Sequence, residues 1–344
     1  MAASAITPVS GDSDRPDPKM RDLLEFAFNN VQSLVTSEES ARLFPNGMES
    51  LDLEVGSDSD FRLSLKIRGA QAPAAAESAA APAEGPDIQP FFNAEGHHVI
   101  ALIAMHDLEQ RAPAAMLKVQ KVLDDGGRTV EQAATFPDEI RQQQPATKPF
   151  HFIDIPFTDG GPANPSLPPA PHAVSKIADF TQVLSQHGGS AQEQVDALSW
   201  LLHLFGDIHQ PLHCIEHTSA LHPHGDQGGN AFQLRGKFHN LHSLWDSSID
   251  ISVHKIEVEM AADIAQEHPR SQFTTDLGVT QAEAWARASY TLAKANAYKP
   301  LLPERAGAPP TPSPAYLKNV EKIGRRQAAL AGYRLSDRLR QIFG

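Results

Sequence analysis

The chain has 344 residues, a single cysteine and a formal net charge of −13. At 41% hydrophobic and 21% charged residues it has the balance of a globular protein, which excludes wholesale disorder, and its acidic excess offers no basic footprint for nucleic acid. That excess does not exclude a polyanionic substrate, because bound divalent cations can be the largest charges in a site and reverse its field.

Residues 1–17, MAASAITPVSGDSDRPD, have neither the basic start nor the apolar run of a secretory signal and read as a disordered leader. No apolar run anywhere approaches the ~20 residues of a membrane span. With no address in the sequence, localisation stays open, and the cytoplasm is the default. Residues 18–40 predict an amphipathic helix, with Leu24, Phe28, Val31 and Leu34 near helical spacing. A hairpin follows: Leu51, Leu53 and Val55 alternate with polar residues, GSDSD supplies a turn, and Phe61, Leu63, Leu65 and Ile67 alternate again. A lone hairpin is marginal in water, so residues 18–69 are expected to form a small α+β appendage, helix plus hairpin, whose apolar face needs a cover and offers a place for a protein partner. Residues 70–89 are rich in Ala, Pro and Glu and read as a semi-rigid linker.

From residue 90 to 344 the pattern is mainly α. Helices are expected from AEGHHVIALIAMHDL, over 113–124 with DDGG as its stop, and near 174–187, 191–208, 255–267, 279–297 and 313–342. FPDEIRQQQPATKPFHFIDIP is mixed, HFIDI reads weakly as a strand, and GGNAFQLRGKFHN suggests a short hairpin. Cys214, the lone cysteine, allows no intrachain disulfide and no cysteine-based zinc knuckle, and reads as a small buried hydrophobe.

The chemistry concentrates in HLFGDIHQPLHC, residues 203–214. His203 and Asp207 are four apart, so a helix presents both on one face. The preceding DALSWLLHLFGD is apolar almost all round and predicts a buried helix; Pro211 would kink or end it and aim His213 separately. Buried His and Asp are costly unless paired or bound to metal. NLHSLWD repeats the i, i+4 spacing with His242 and Asp246, while FPDEIR offers Asp138 and Arg141, HFIDIP offers His151 and Asp154, and AEGHH offers His97 and His98. Imidazoles and carboxylates without thiolate suit zinc, and so many candidates suit two or three ions sharing a carboxylate, the arrangement used to hydrolyse phosphate esters.

AEGHH, FPDEIR, HFIDIP, HLFGDIHQPLHC, GGN and NLHSLWD, in this order, resemble the S1/P1 family of zinc-dependent single-strand nucleases, relatives of zinc-dependent phospholipase C. The similarity spans roughly residues 91–343 and implies a phospholipase C/nuclease-like helical domain. Carried over by position, Asp138, His151, His203 and Asp207 match the ligands of a first zinc, His213, His242 and Asp246 those of a second, and His97 with the bridging Asp207 two ligands of a third. In the family an N-terminal tryptophan completes the third zinc with its amino and carbonyl groups, and a hydroxide bridges zincs one and three. Asp138, Arg141 and Asp207 thereby take catalytic roles, Arg141 matching the arginine that stabilises charge on the phosphate. Phe152 and Asp154 match residues that hold a nucleobase. The implied reaction is endonuclease and 3′-nucleotidase chemistry on single-stranded DNA or RNA, breaking the bond from phosphorus to the 3′ oxygen and leaving 5′-phosphates.

The match departs at the tryptophan position, which is Phe92 and is preceded by 91 residues, so its nitrogen is an amide unless the chain is cut there. Two zinc sites are therefore expected, with the third dependent on Phe92. The family's members are usually secreted or periplasmic, which the leader here does not match. Two alternatives stand beside the nuclease reading: a phospholipase C-like enzyme, and a zinc-stabilised, non-catalytic binding protein. Of the remaining histidines, His209 is expected to be a hydrogen-bonding structural residue, His98 and His239 structural or exposed, and His217, His222 and His224 solvated in a Pro/Gly loop; Trp245 is expected to be core.

Overall fold

The computed structural model describes residues 94–252 and 255–344, and residues 48–55 and 61–67 by their backbone. The expectations for the leader, the 18–40 helix, the GSDSD turn, the linker and Phe92 lie outside the described residues. The chain divides into two units, Met1–Pro86 and Asp87–Gly344. In the first, β1 (Met48–Val55) and β2 (Phe61–Ile67) pair antiparallel, with Leu51 opposite Leu65, Leu53 opposite Leu63 and Val55 opposite Phe61. These are the two strands the alternation predicted.

The second unit is helical. Its centre is α1 (Ala94–Arg111), in which Val99 to Met105 and Leu108 are buried. A helix apolar on every side has to be surrounded, and α1 is covered by α10 (Pro314–Phe343), α3 (Val130–Ile140) and α7 (Glu257–Glu267). The thirty-residue α10, about 45 Å long at 1.5 Å per residue, starts with Ser313 accepting the amide of Tyr316 and Pro314 in the first turn. It approaches α1 so closely at Gly332 that a Cβ there would stand 2.6 Å from Ile103 Cγ2.

Helix α2 (Pro113–Asp125) follows α1 and stops at Gly126 and Gly127, as DDGG predicts. Helix α3 was not legible in the sequence. A capping box between Thr129 and Gln132 starts it, and it runs through Pro137, which cannot donate a bond back to Ala133, to end three residues later. Its small buried residues Ala133 and Ala134 let it pack against α5 (Ala191–Asp207). Helix α5 also starts in a capping box, Ser190 with Glu193, and is buried from Ala197 to Asp207. It ends before Pro211 and is followed by a 3-10 turn, Pro211–Cys214. Helix α4 (Ala173–Ser185) lies against α5.

The expected HFIDI strand forms further on. His151 closes a 3-10 segment, Pro145–His151, and β3 is only Pro156–Phe157, paired parallel with β4 (Glu216–His217). The pairing extends through backbone bonds from Ile153 N to His213 O (2.8 Å) and from Glu216 N to Ile155 O (3.0 Å). It therefore straps the segment after His151 to the segment after His213. The hairpin expected at GGNAFQLRGKFHN is a turn held by one antiparallel bridge, Gln233 with Asn240. Asn240 then caps α6 (Leu241–Asp246) through its side chain on Ser243 N. After α7, a single turn, α8 (Thr274–Leu277), leads to α9 (Ala282–Leu292), which continues as a π turn to Tyr298. Trp245 is fully buried, as expected, and hydrogen-bonds Tyr316. Among the described residues no helix is long and apolar enough to cross a membrane.

Candidate metal centre

Eight side chains from six segments converge between α1, α3, α5 and α6. Three groups have ligand atoms close enough to share an ion: Asp138, His151 and His203; His97, His203 and Asp207; and His213, His242 and Asp246. Seven of the eight residues are buried, and Asp138 is half-buried.

Helix α5 supplies the first pair. His203 Nε2 lies 3.2 Å from Asp207 Oδ2, as i, i+4 spacing dictates. The other ring nitrogen, Nδ1, donates to the carbonyl of Ala134 on α3 (2.8 Å), which directs the Nε2 lone pair to the cluster. His151 Nδ1 comes to 2.9 Å from His203 Nε2, 3.2 Å from Asp207 Oδ2 and 3.8 Å from Asp138 Oδ1. Two nitrogens and two carboxylate oxygens thus face one point.

His97, in the first turn of α1, adds Nε2 at 3.6 Å from Asp207 Oδ1. Its ring lies flat on that of His203. His203 falls within reach of two groups but has one nitrogen to give, and that nitrogen lies 2.9 Å from His151 Nδ1 and 3.2 Å from Asp207 Oδ2.

The remaining group joins the 3-10 turn to α6. His213 Nε2 is 3.6 Å from Asp246 Oδ1, and His242 Nε2 is 3.5 Å from Asp246 Oδ2. His242 Nδ1 donates to the carbonyl of Gly228 (2.8 Å), again fixing the tautomer. Gln210 donates Nε2 to Asp246 Oδ1 (2.7 Å) and accepts the amide of Leu212, so it fixes the carboxylate and the turn together. His213 Nδ1 stands 3.1 Å from Asp207 Oδ1. Asp207 is therefore the hub: one oxygen faces His151 and His203, the other His97 and His213.

The electrostatics call for cations. Burial opposes ionisation of Asp207, yet the surrounding His203, His213 and His151 hold it well below the usual carboxylate range. Burial lowers His97, His151 and His242. Burial also works against His203 and His213, but Asp207 with Asp138 raises the first, and Asp207 with Asp246 raises the second to about 10. Buried carboxylates this closely set demand positive charge between them, and three of the five imidazoles resist carrying it as a proton. The Oδ1 atoms of Asp138 and Asp207 accept no hydrogen bond among the described residues. A donor set of nitrogen and oxygen with fixed tautomers fits zinc. Cys214 takes no part; it is buried, its thiol is pushed up by burial, and it contacts Ile208 O.

Arg141, buried at the end of α3, places Nη1 3.4 Å from Asp138 Oδ1 at the edge of the first group. Phe152 and Asp154 sit on the extended segment leaving His151, both half-buried, while Ile153 and Ile155 between them are buried. Period two puts Phe152 and Asp154 on one face. Burial, then Glu216 and Asp226, lifts the Asp154 carboxyl to about 7.

His209 is structural, donating Nδ1 to Phe205 O and accepting Arg334 at Nε2 (2.7 Å). His98 pairs with Glu257, and His239 is exposed. The expectation that His217, His222 and His224 are all solvated needs correction. His224 is exposed and His222 is half-buried on Glu304, but His217 is buried, stacked on Phe157 and tilted against Tyr298. The β3–β4 pairing pulls it inward. Sequence reasoning also missed Gln210, Ala134 and Gly228. Gln210, inside HLFGDIHQPLHC, and Gly228, inside GGN, carried a signal; Ala134 carried none.

A family profile described as S1/P1 Nuclease matches residues 92–344. Endonuclease 1 of Arabidopsis thaliana is 28% identical over 222 residues, covering 60% of this chain and 70% of that protein. Nuclease P1 of Penicillium citrinum is 27% identical over 282 residues, covering 74% of this chain and 98% of its own length. Nuclease S1 of Aspergillus oryzae is 30% identical over 163 residues, covering 45% and 53% respectively.

Proposed function

The chain belongs to the S1/P1 nuclease family, and on that premise we propose that it hydrolyses single-stranded DNA and RNA, and 3′-nucleotides, to 5′-phosphates with zinc held at the three groups around Asp207. The observation that carries this reading is the convergence of Asp138, His151, His203, Asp207, His97, His213, His242 and Asp246 on one buried hub. Bound zinc supplies charge that offsets the phosphate and lowers the pKa of a water for attack on phosphorus.

The chain's own groups do the rest. Asp207 holds the three groups in register through its two oxygens. Arg141 presents a guanidinium beside Asp138, placed to meet a phosphate oxygen as charge builds there. Phe152 offers a face for a base and Asp154 a carboxyl for its edge, and a base can reach them only when unpaired, which gives the single-strand preference. Breakage of the bond from phosphorus to O3′ leaves a 5′-phosphate on one side and a protonated 3′-hydroxyl on the other. Divalent ions also reverse the local field of this acidic chain. At the His97 group a cut before Phe92 would free an amine as a further ligand, and without it the group would hold its ion less tightly.

The test is direct. Full-length protein with zinc should release 5′-mononucleotides from single strands faster than from duplex, ignore phosphatidylcholine vesicles, and stop on chelation. Intact mass with metal analysis reports any cut before Phe92 and the zinc number. Stoichiometric zinc with no hydrolysis of either nucleic acid would overturn the proposal.

A further inference from the structure

Away from the metal centre, α9 and α10 border an open cavity of about 230 Å³, the solvent at its mouth included. Trp285 forms one wall, with Leu277 and Val279 beside it, and the guanidiniums of Arg334 and Arg338 stand 5.0 and 5.9 Å from the indole. None of the residues lining it belongs to the three metal groups.

These two cations have only neutral partners among the described residues. Arg334 donates to the imidazole of His209 (2.7 Å) and to the carbonyl of Asp276 (2.9 Å), and its Nε is buried with no acceptor. Arg338 donates to Thr181 Oγ1 (3.3 Å) and Thr280 O (3.1 Å). The carboxylates nearby are taken by other arginines: Asp276 by Arg326, and Asp337, itself on the cavity wall, by Arg111 and Arg270. Burial lowers both guanidiniums, Arg334 to about 10. Arg334 is buried and Arg338 half-buried, neither in a direct ion pair among the described residues, and an anion between two such cations offsets the cost of their burial. Their planar forks match tetrahedral phosphate oxygens.

We propose that this cavity binds a single phosphate group through Arg334 and Arg338 above Trp285, separately from the metal centre. The phosphate comes either free or as an internucleotide group of a nucleic-acid strand. The experiment titrates zinc-loaded full-length protein with inorganic phosphate at constant ionic strength, reading the tryptophan-fluorescence change that disappears in Trp285→Phe. Arg338→Gln keeps amide donors for Thr181 and Thr280 and should weaken phosphate about tenfold, the scale of a lost charge-assisted contact. Arg338→Lys, which keeps the charge and loses the fork, should weaken it less. Zinc per chain, measured alongside, should not change. A parallel titration with a phosphorothioate-linked single-stranded oligonucleotide separates the sources. An Arg338-dependent signal with the strand assigns the site to backbone phosphate, and one confined to inorganic phosphate assigns it to the free ion. Equal phosphate affinity in wild type and Arg338→Gln, or no Trp285-dependent signal up to tens of millimolar, overturns the site.

Discussion

The imidazole of His97 lies flat on that of His203, with ring centroids 3.7 Å apart and planes at 13°. Gly206 makes room for the stack, since a Cβ there would stand 2.8 Å from His97 Nδ1. Gly206→Ala favours the helix by about 1 kcal/mol, so stability should hold while His97 is displaced. The expected result is loss of the ion at His97 and Asp207, with turnover down about tenfold or more. Metal analysis and kcat check it, and an unchanged zinc count with unchanged turnover would remove Gly206 from the design.

Among the described residues, Asp207 is the one carboxylate that faces three histidine-bearing segments besides its own. Asp207→Asn leaves the shape and removes the charge. Turnover on single-stranded DNA should fall about 10³-fold or more, the scale of losing a preorganised electrostatic partner, and zinc should fall with it. Activity within a few-fold of wild type would show that the hub carries no catalytic charge.

Gln210 is fully buried and touches no proposed substrate or ion, yet it orients Asp246. Gln210→Met preserves the bulk and deletes both hydrogen bonds. Affinity at the His213, His242 and Asp246 group should drop about 10- to 100-fold, the usual cost of losing an outer partner of a metal ligand. Chelator competition resolves the classes of ion. Equal loss at all groups would point to general damage instead.

How much of this was legible follows from what a sequence can encode. His203 with Asp207 and His242 with Asp246 announce themselves because i, i+4 spacing is a property of the chain alone. His151 and His213 stood out as candidates in their motifs, but the resemblance alone assigned them to ions, because the strap joining their segments is only two residues on each strand, too short to show a period. The carbonyls of Ala134 and Gly228 that orient two imidazoles have no residue type at all. Helix α3 was hidden by Pro137, a helix breaker that is tolerated here one turn from the end. His217 was misread for the opposite reason: its loop composition is polar, but tertiary pairing with β3 buries it.

Metal removal should couple to protons. Without cations, Asp207 and Asp138 raise His203 above its ordinary value despite burial, and Asp207 with Asp246 raises His213 from an ordinary 6.5 to about 10. Zinc must displace the His213 proton, so loading near pH 7 should release at least about one proton per chain, read as a calorimetric enthalpy that changes with the buffer's ionisation heat. Because His213 sits above its unfolded value, the stability it lends the metal-free protein is full below ~6.5 and fades as pH rises towards 10. The metal-free form should therefore weaken across that window and the loaded form should not. Buffer-independent enthalpies would contradict the protonation assigned to His213.

Asp154 titrates separately. Burial, reinforced by Glu216 and Asp226, raises it from 3.8 to about 7, so the folded chain holds a proton there that the unfolded chain has lost. The native state then binds more protons between pH ~4 and ~7, and stability must fall as pH rises through that window and level off above it. Asp154→Asn should flatten this slope in pH-dependent denaturation. At the substrate, the protonated acid both donates and accepts, and the ionised form only accepts. If Asp154 reads a base edge, KM for a single-stranded substrate should change through pH 7 in wild type and be flat in Asp154→Asn, while kcat keeps its own pH limbs. Parallel KM profiles in the two proteins would move base recognition elsewhere, leaving Phe152 as a stacking surface without a polar partner.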